Sequence, residues 1–185
     1  MKKVSIIVCA TLFLILAAPF SSAQTSAPRT RVKSCRDFVQ GFYDWYVPEV
    51  FRSFERTEDP DPFDLVLKDR SSAFSPALLR ALREDHEAQA EADEIVGLNF
   101  DPFLASQDPS ERFVVGDVKL VGDKCLAVVR GISSGKEREH VVPESAYRNG
   151  RWLFVNFHYP ESKSSSGENL VRILNLLRAE RQKTH

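Results

Sequence analysis

Asn156 and His158 are the polar side chains most suggestively placed to anchor a ligand. They sit two apart in the otherwise apolar run from Trp152 to Tyr159. Strand alternation predicts that Trp152, Phe154, Asn156 and His158 share one face, with Leu153, Val155, Phe157 and Tyr159 on the other. Apolar walls with few polar anchors are the usual make-up of a small-molecule site. Trp152, Phe154, Asn156 and His158 are therefore candidate ligand-binding residues. The plainer alternative is that Asn156 and His158 lie at the sheet margin and touch water or a loop.

Asp44, Tyr46 and the pair Asp85-His86 form a second group. A carboxylate near a phenol or an imidazole in an aromatic cavity can run acid–base chemistry, because desolvation raises the acid's pKa. Asp44 and Tyr46 are two apart on a predicted helix and do not share a face. His86 has charged sequence neighbours, which predicts a solvated imidazole. Tyr46 stays a candidate ligand contact, and no catalytic residue is assigned.

A third group is the string Asn99-Phe100-Asp101-Pro102-Phe103 with Ser106-Gln107-Asp108-Pro109. Asp before Pro favours turns, and Phe100 and Phe103 can pin such a loop to a core. The loop could rim a pocket with Asp101 as a ligand contact, or Asp101 and Asp108 could simply cap turns. Gly131-Ile132-Ser133-Ser134-Gly135 has the spacing of a nucleophile elbow, but that device needs a strand-to-helix turn. Here it joins two predicted hairpins and reads as a linker. Neither a glycine-rich phosphate loop nor a His-Glu-x-x-His string occurs. The acids from Glu58 to Asp64 lack the alternating ligands and central glycine of a calcium loop, so no metal and no cofactor are expected.

The elements that must position these residues begin after an N-terminal export signal. Lys2 and Lys3, an apolar run from Val4 to Phe20 and the small residues Ser21 and Ala23 at −3 and −1 of a cut after Ala23 predict a cleaved signal peptide over 1–23. The run is short for a membrane span, so no stable membrane insertion is expected after cleavage. Cys9 lies inside the run, which argues against a lipid-modified mature terminus. Residues 24–32 read as a disordered spacer, 33–180 as a single domain and 181–185 as a tail.

Taking 23 of the 185 residues away leaves 162, enough for one real core. The net charge of −1 becomes −3 once Lys2 and Lys3 leave. Without a basic stripe, nucleic acid is not an expected partner. Cys35 and Cys125 remain; in an oxidising compartment they can bridge, and otherwise they are two buried thiols.

A helix is predicted from Lys33 to Val47, bending or ending at Pro48. Ser75-Pro76 opens another that runs toward Ala92, with an acidic, solvated last part. Four strands follow: Phe113–Val121 and Lys124–Ile132 about Gly122-Asp123, then His140–Arg148 and Arg151–Tyr159 about Asn149-Gly150. Pro143 predicts an edge strand or a bulge. A final helix is predicted from near Ser165, with Glu168 completing a capping box. The class is α+β: N-terminal helices packed in a curved four-stranded antiparallel sheet, closed by a C-terminal helix.

Phe42-Tyr43-x-Trp45-Tyr46, the Asn99–Phe103 string with Ser106-Gln107-Asp108, and Gly150-x-Trp152 leading to Tyr159 together resemble one family. It is the exported bacterial family catalogued as domain of unknown function 3828, and the resemblance spans about Cys35 to Leu177. It implies a fold similar to nuclear transport factor two, a cone-like sheet around helices, and no catalytic residues. Asn156 stands where an acid is expected in that family's strand pattern, which counts against an acid–base role there.

The expected function is a non-enzymatic envelope protein binding a small ligand or an envelope partner. A small isomerase, hydrolase or lyase with its acid–base pair in the cone is the alternative; an inhibitor or immunity-type protein is another. No oligomeric state is assigned.

Overall fold

A computed structural model describes residues 26–56, 60–106, 108–160 and 168–184. The expected signal peptide, Glu58-Asp59, Gln107 and the Ser165 capping position lie outside these residues. The chain folds as α1 (Ser26–Glu55), α2 (Pro62–Asp69), a 3-10 turn (Ser71–Ala73), α3 (Pro76–Ala90), β1 (Arg112–Val121), β2 (Lys124–Ser133), β3 (Lys136–Arg148), β4 (Arg151–His158) and α4 (Leu170–Thr184). The strands form one antiparallel sheet in the order β1-β2-β3-β4. This is the α+β class expected, as an open sheet with helices before and after it.

Local chemistry explains the meander. Asn149 and Gly150 take φ of 50° and 81°, the paired positive values a two-residue hairpin needs. Ser134 and Gly135 do the same at 51° and 74°. The expected linker over Gly131–Gly135 is therefore a tight hairpin, with Gly131 to Ser133 inside β2 and β3 starting at Lys136 rather than His140. Pro143 is in an inner strand opposite Phe157, two positions from a bulge at Val155.

Four boundaries differ from those expected. Helix α1 is 30 residues long and passes through Pro48. Its apolar face continues on both sides of the proline, with Val47 and Val50 both buried, so packing outweighs the lost backbone hydrogen bond. It also begins at Ser26, so most of the predicted spacer is helical. Helix α4 begins at Leu170, capped by the Asn169 carboxamide accepting from the Arg172 N–H at 3.1 Å. It absorbs all but the last residue of the expected tail.

Helix α1 is tied to each part of the sheet it crosses. Cys35 and Cys125, both fully buried, form a disulfide between α1 and β2. Gln40 accepts from the Val115 N–H at 2.8 Å and donates to the Phe113 carbonyl at 3.1 Å. Arg36 donates to the Val115 carbonyl, so α1 side chains occupy the outer edge of β1. At the other edge, the Ser75 N–H donates to the Phe154 carbonyl at 2.8 Å, and Asn169 bridges to His158.

Between α1 and the sheet lies an aromatic core. Phe42 stacks on Tyr46 at 5.4 Å and meets Phe74, Phe103 and Phe154 edge-on. Phe103 continues the cluster to Phe157 at 5.3 Å. The space enclosed by helix and sheet is thus filled with rings.

The disulfide closes a separation of 90 residues. Replacing Cys35 and Cys125 together by Ser is expected to lower unfolding stability by about 2–5 kcal/mol. Denaturant midpoints of the oxidised and substituted chains measure it, and equal midpoints would mean that the bridge does not form.

Candidate functional site

The candidate strand residues are not one site. Opposite Glu144 and Ser145, β4 carries an extra residue, Val155. A one-residue slip transfers every later side chain to the other face. Phe154 and Phe157, three apart, therefore both enter the core, their rings 5.1 Å from each other. Asn156 and His158 go to the opposite side, separated from Trp152 and Phe154.

Each of the four has a structural task. The Trp152 indole N–H donates to Ser34 Oγ at 3.0 Å, anchoring α1, and its ring faces the Arg31 guanidinium. Phe154 is fully buried against Phe38 and Phe42. The Asn156 carboxamide accepts from the Phe157 and Val171 N–H groups and donates to Asn169 at 3.0 Å, holding the start of α4. His158 pairs with Glu144 at 2.8 Å, and Lys124 reaches the other Glu144 oxygen at 2.6 Å. Burial opposes ionisation of Glu144, but hydrogen bonds from Lys124 and His158 outweigh it and hold its carboxyl below the ordinary range.

Tyr46 and Asp101, by contrast, are brought together from 55 residues apart. The Tyr46 hydroxyl donates to Asp101 Oδ2 at 2.8 Å. Asp101 Oδ1 accepts from the Phe103 and Leu104 N–H groups at 2.8 and 3.0 Å, closing the turn predicted from Asp-Pro. That turn drives Phe103 and Leu104 into the core, where both are fully buried. Two more phenols fasten it: Tyr43 donates to the Phe103 carbonyl at 2.9 Å, and Tyr159 to the Pro102 carbonyl at 3.1 Å.

Beside Tyr46 and Asp101 lies a cavity of about 550 Å³. The C-terminal half of α1, the start of α2, α3 and residues 98–106 with Pro109 line it. Phe54, Phe63, Leu98 and Phe100 supply apolar wall; Asp61, His86 and Asn99 add polar groups. Asp61 caps α2 by accepting from the Phe63 N–H at 2.7 Å, with Pro62 at the first helical position.

Asp85 and His86 also line this cavity. Asp85 is buried, against expectation, because Arg181 of α4 donates to it at 2.7 Å and the Leu98 N–H at 2.8 Å. His86 pairs with Asp64 at 2.7 Å and stays partly open. Gln89 accepts from both the Val96 and Gly97 N–H groups. A Cβ at Gly97 would stand 2.9 Å from Asp85 Oδ2, so any larger residue there would have to displace the Asp85 carboxylate. Asp44 takes no part; it accepts from Gln40 on the exposed side of α1.

Sequence reasoning missed Asp61 and Gln89 as cavity residues. Asp61-Pro62 repeats the Asp-Pro signal of Asp101-Pro102, and that was the available clue. Nothing local marks Gln89.

Burial pushes the Asp101 carboxyl up from 3.8 to about 6, with a further push from Asp61, while the Tyr46, Phe103 and Leu104 hydrogen bonds pull the other way. Burial, and then the Asp101 charge, hold the Tyr43, Tyr46 and Tyr159 phenols neutral and well above their ordinary range. The arrangement can bind a polar head group or accept a proton near neutrality. Among the described residues, no cluster of three His, Cys, Asp or Glu could hold a metal ion, and no helix is long and apolar enough to cross a membrane. No family model, no curated protein and no solved structure matches the chain.

A carboxyl whose pKa is higher folded than unfolded binds more protons in the native state between the two values, so stability falls as pH rises. Relative to Asp101→Asn, the wild-type chain is expected to lose about 1–3 kcal/mol between pH 3.8 and about 6. Thermal or denaturant unfolding across that window measures the difference. A constant difference would mean that folding leaves the Asp101 pKa where it is in the unfolded chain.

Proposed function

We propose that this protein is an exported, non-enzymatic binding domain whose ligand is a small molecule held in the cavity beside Tyr46 and Asp101. One observation carries the reading. The space between α1 and the sheet is packed with aromatic rings, whereas the cavity at the far end of α1 is open and mixes apolar wall with a few polar groups. Its volume falls within the ordinary range for small-molecule sites. Export is supported by the signal-like N-terminus and by a disulfide, which persists in oxidising compartments. The resemblance to domain of unknown function 3828 agrees with a role that needs no catalytic constellation.

The elevated Asp101 carboxyl favours a second reading, a small acid–base enzyme using the same cavity. Under it, Asp101 is the base, and turnover rises with pH through an inflection near 6. Binding without turnover selects the first reading.

A thermal-shift screen of the oxidised chain against envelope metabolites, lipids and cell-wall fragments tests the proposal. A ligand at a hundred times its Kd should add about 2.7 kcal/mol and raise Tm by roughly 5–10 °C. Ser53→Trp, which adds a large ring to the α1 wall of the cavity and leaves Asp101 itself unchanged, is expected to abolish the shift. A shift that survives this change would place binding elsewhere. A blank screen would turn the search to a macromolecular envelope partner.

A further inference from the structure

We infer that the cavity selects an amphipathic cation, an ammonium head group on an apolar body. The inference rests on the reading that the cavity binds a small ligand, and it names that ligand's chemistry.

The walls and the charges point the same way. Phe54, Phe63, Leu98 and Phe100 offer surface for an apolar body, and the aromatic faces among them also attract a cation. Two carboxylates, Asp61 and Asp101, line the same cavity, and the Asp61 charge adds to the push against ionisation of Asp101. Among the described residues, neither carboxylate is paired with a Lys, Arg or His. The nearby basic side chains are committed elsewhere: His86 lies on Asp64, and Arg181 on Asp85.

The remaining bonding capacity of Asp101 is more specific. An ionised carboxylate has about four acceptor positions. Two backbone N–H groups use Oδ1, and the Tyr46 hydroxyl uses one position on Oδ2. One position on Oδ2 is left, which suits a single N–H donor. A hard metal ion needs six or more oxygens, and among the described residues no group of three His, Cys, Asp or Glu gathers to supply them. An anion would meet two carboxylates, and a neutral ligand would leave both without a counter-charge after expelling water.

Three probes that share an apolar body separate the possibilities: phenylbutylamine, phenylbutanol and phenylbutanoate. Each is titrated calorimetrically into the oxidised chain near neutral pH. The amine is expected to bind about tenfold or more tighter than the alcohol, and the carboxylate weakest. Asp101→Asn should remove that advantage, bringing the amine-to-alcohol affinity ratio in the same variant close to one. Should Asp101→Asn fail to fold, Asp61→Asn, which keeps the helix cap, is expected to weaken the amine alone by roughly threefold or more. Equal affinity for amine and alcohol, or preference for the carboxylate, overturns the cation while leaving the binding role intact. Silence from all three probes overturns both.

Discussion

Three phenolic hydroxyls and one carboxylate make it possible for this fold to bury a loop. Backbone groups taken out of water must find partners, and loops therefore normally stay on the surface. Here Tyr43 and Tyr159 donate to the Phe103 and Pro102 carbonyls, and Asp101 accepts from the Phe103 and Leu104 N–H groups while receiving the Tyr46 hydroxyl. With its polar groups satisfied, the turn can push Phe103 among Phe42, Phe63, Phe74 and Phe157. The ring cluster, the seating of α1 and the floor of the cavity all follow from that insertion. Asp101 is consequently both a structural clasp and the most perturbed carboxyl in the cavity.

The far wall is held by a different device. Arg181, near the end of α4, reaches the buried Asp85 and also donates to the Val96 carbonyl at 3.0 Å. Asp85 and Gln89 in turn hold the backbone from Val96 to Leu98. A buried ion pair adds little net stability but defines geometry, because a lone buried charge would be costly. The C-terminal helix thus reaches the cavity without lining it.

Legibility in the sequence tracked how local the deciding interaction was. The strand pairs around Gly122-Asp123 and Asn149-Gly150 were readable because turn preferences act over two residues. The start of α3 was readable from Ser75-Pro76, and the turn at Asp101 from Asp-Pro. The grouping of Trp152, Phe154, Asn156 and His158 failed because a bulge at Val155 is decided by pairing with β3, which alternation within one strand does not encode. Helix α1 outran its predicted end because burial of Val47 and Val50 exceeded the local penalty at Pro48. Tyr46 and Asp101 were each singled out, yet their union depends on packing across 55 residues. Asp85 looked solvated because its partner, Arg181, is 96 residues away.

An open sheet has two outer strands, and a bare outer strand is a template on which another chain can add its own. Here part of each border is already dressed. Gln40 and Arg36 take backbone positions along β1, and the Ser75 N–H with Asn169 does so along β4. Side chains and loop ends stand in for the missing neighbouring strands. Along those stretches the backbone groups an added strand would need are already taken, without the sheet closing into a barrel, and the contacts that do this are the same ones that seat the helices.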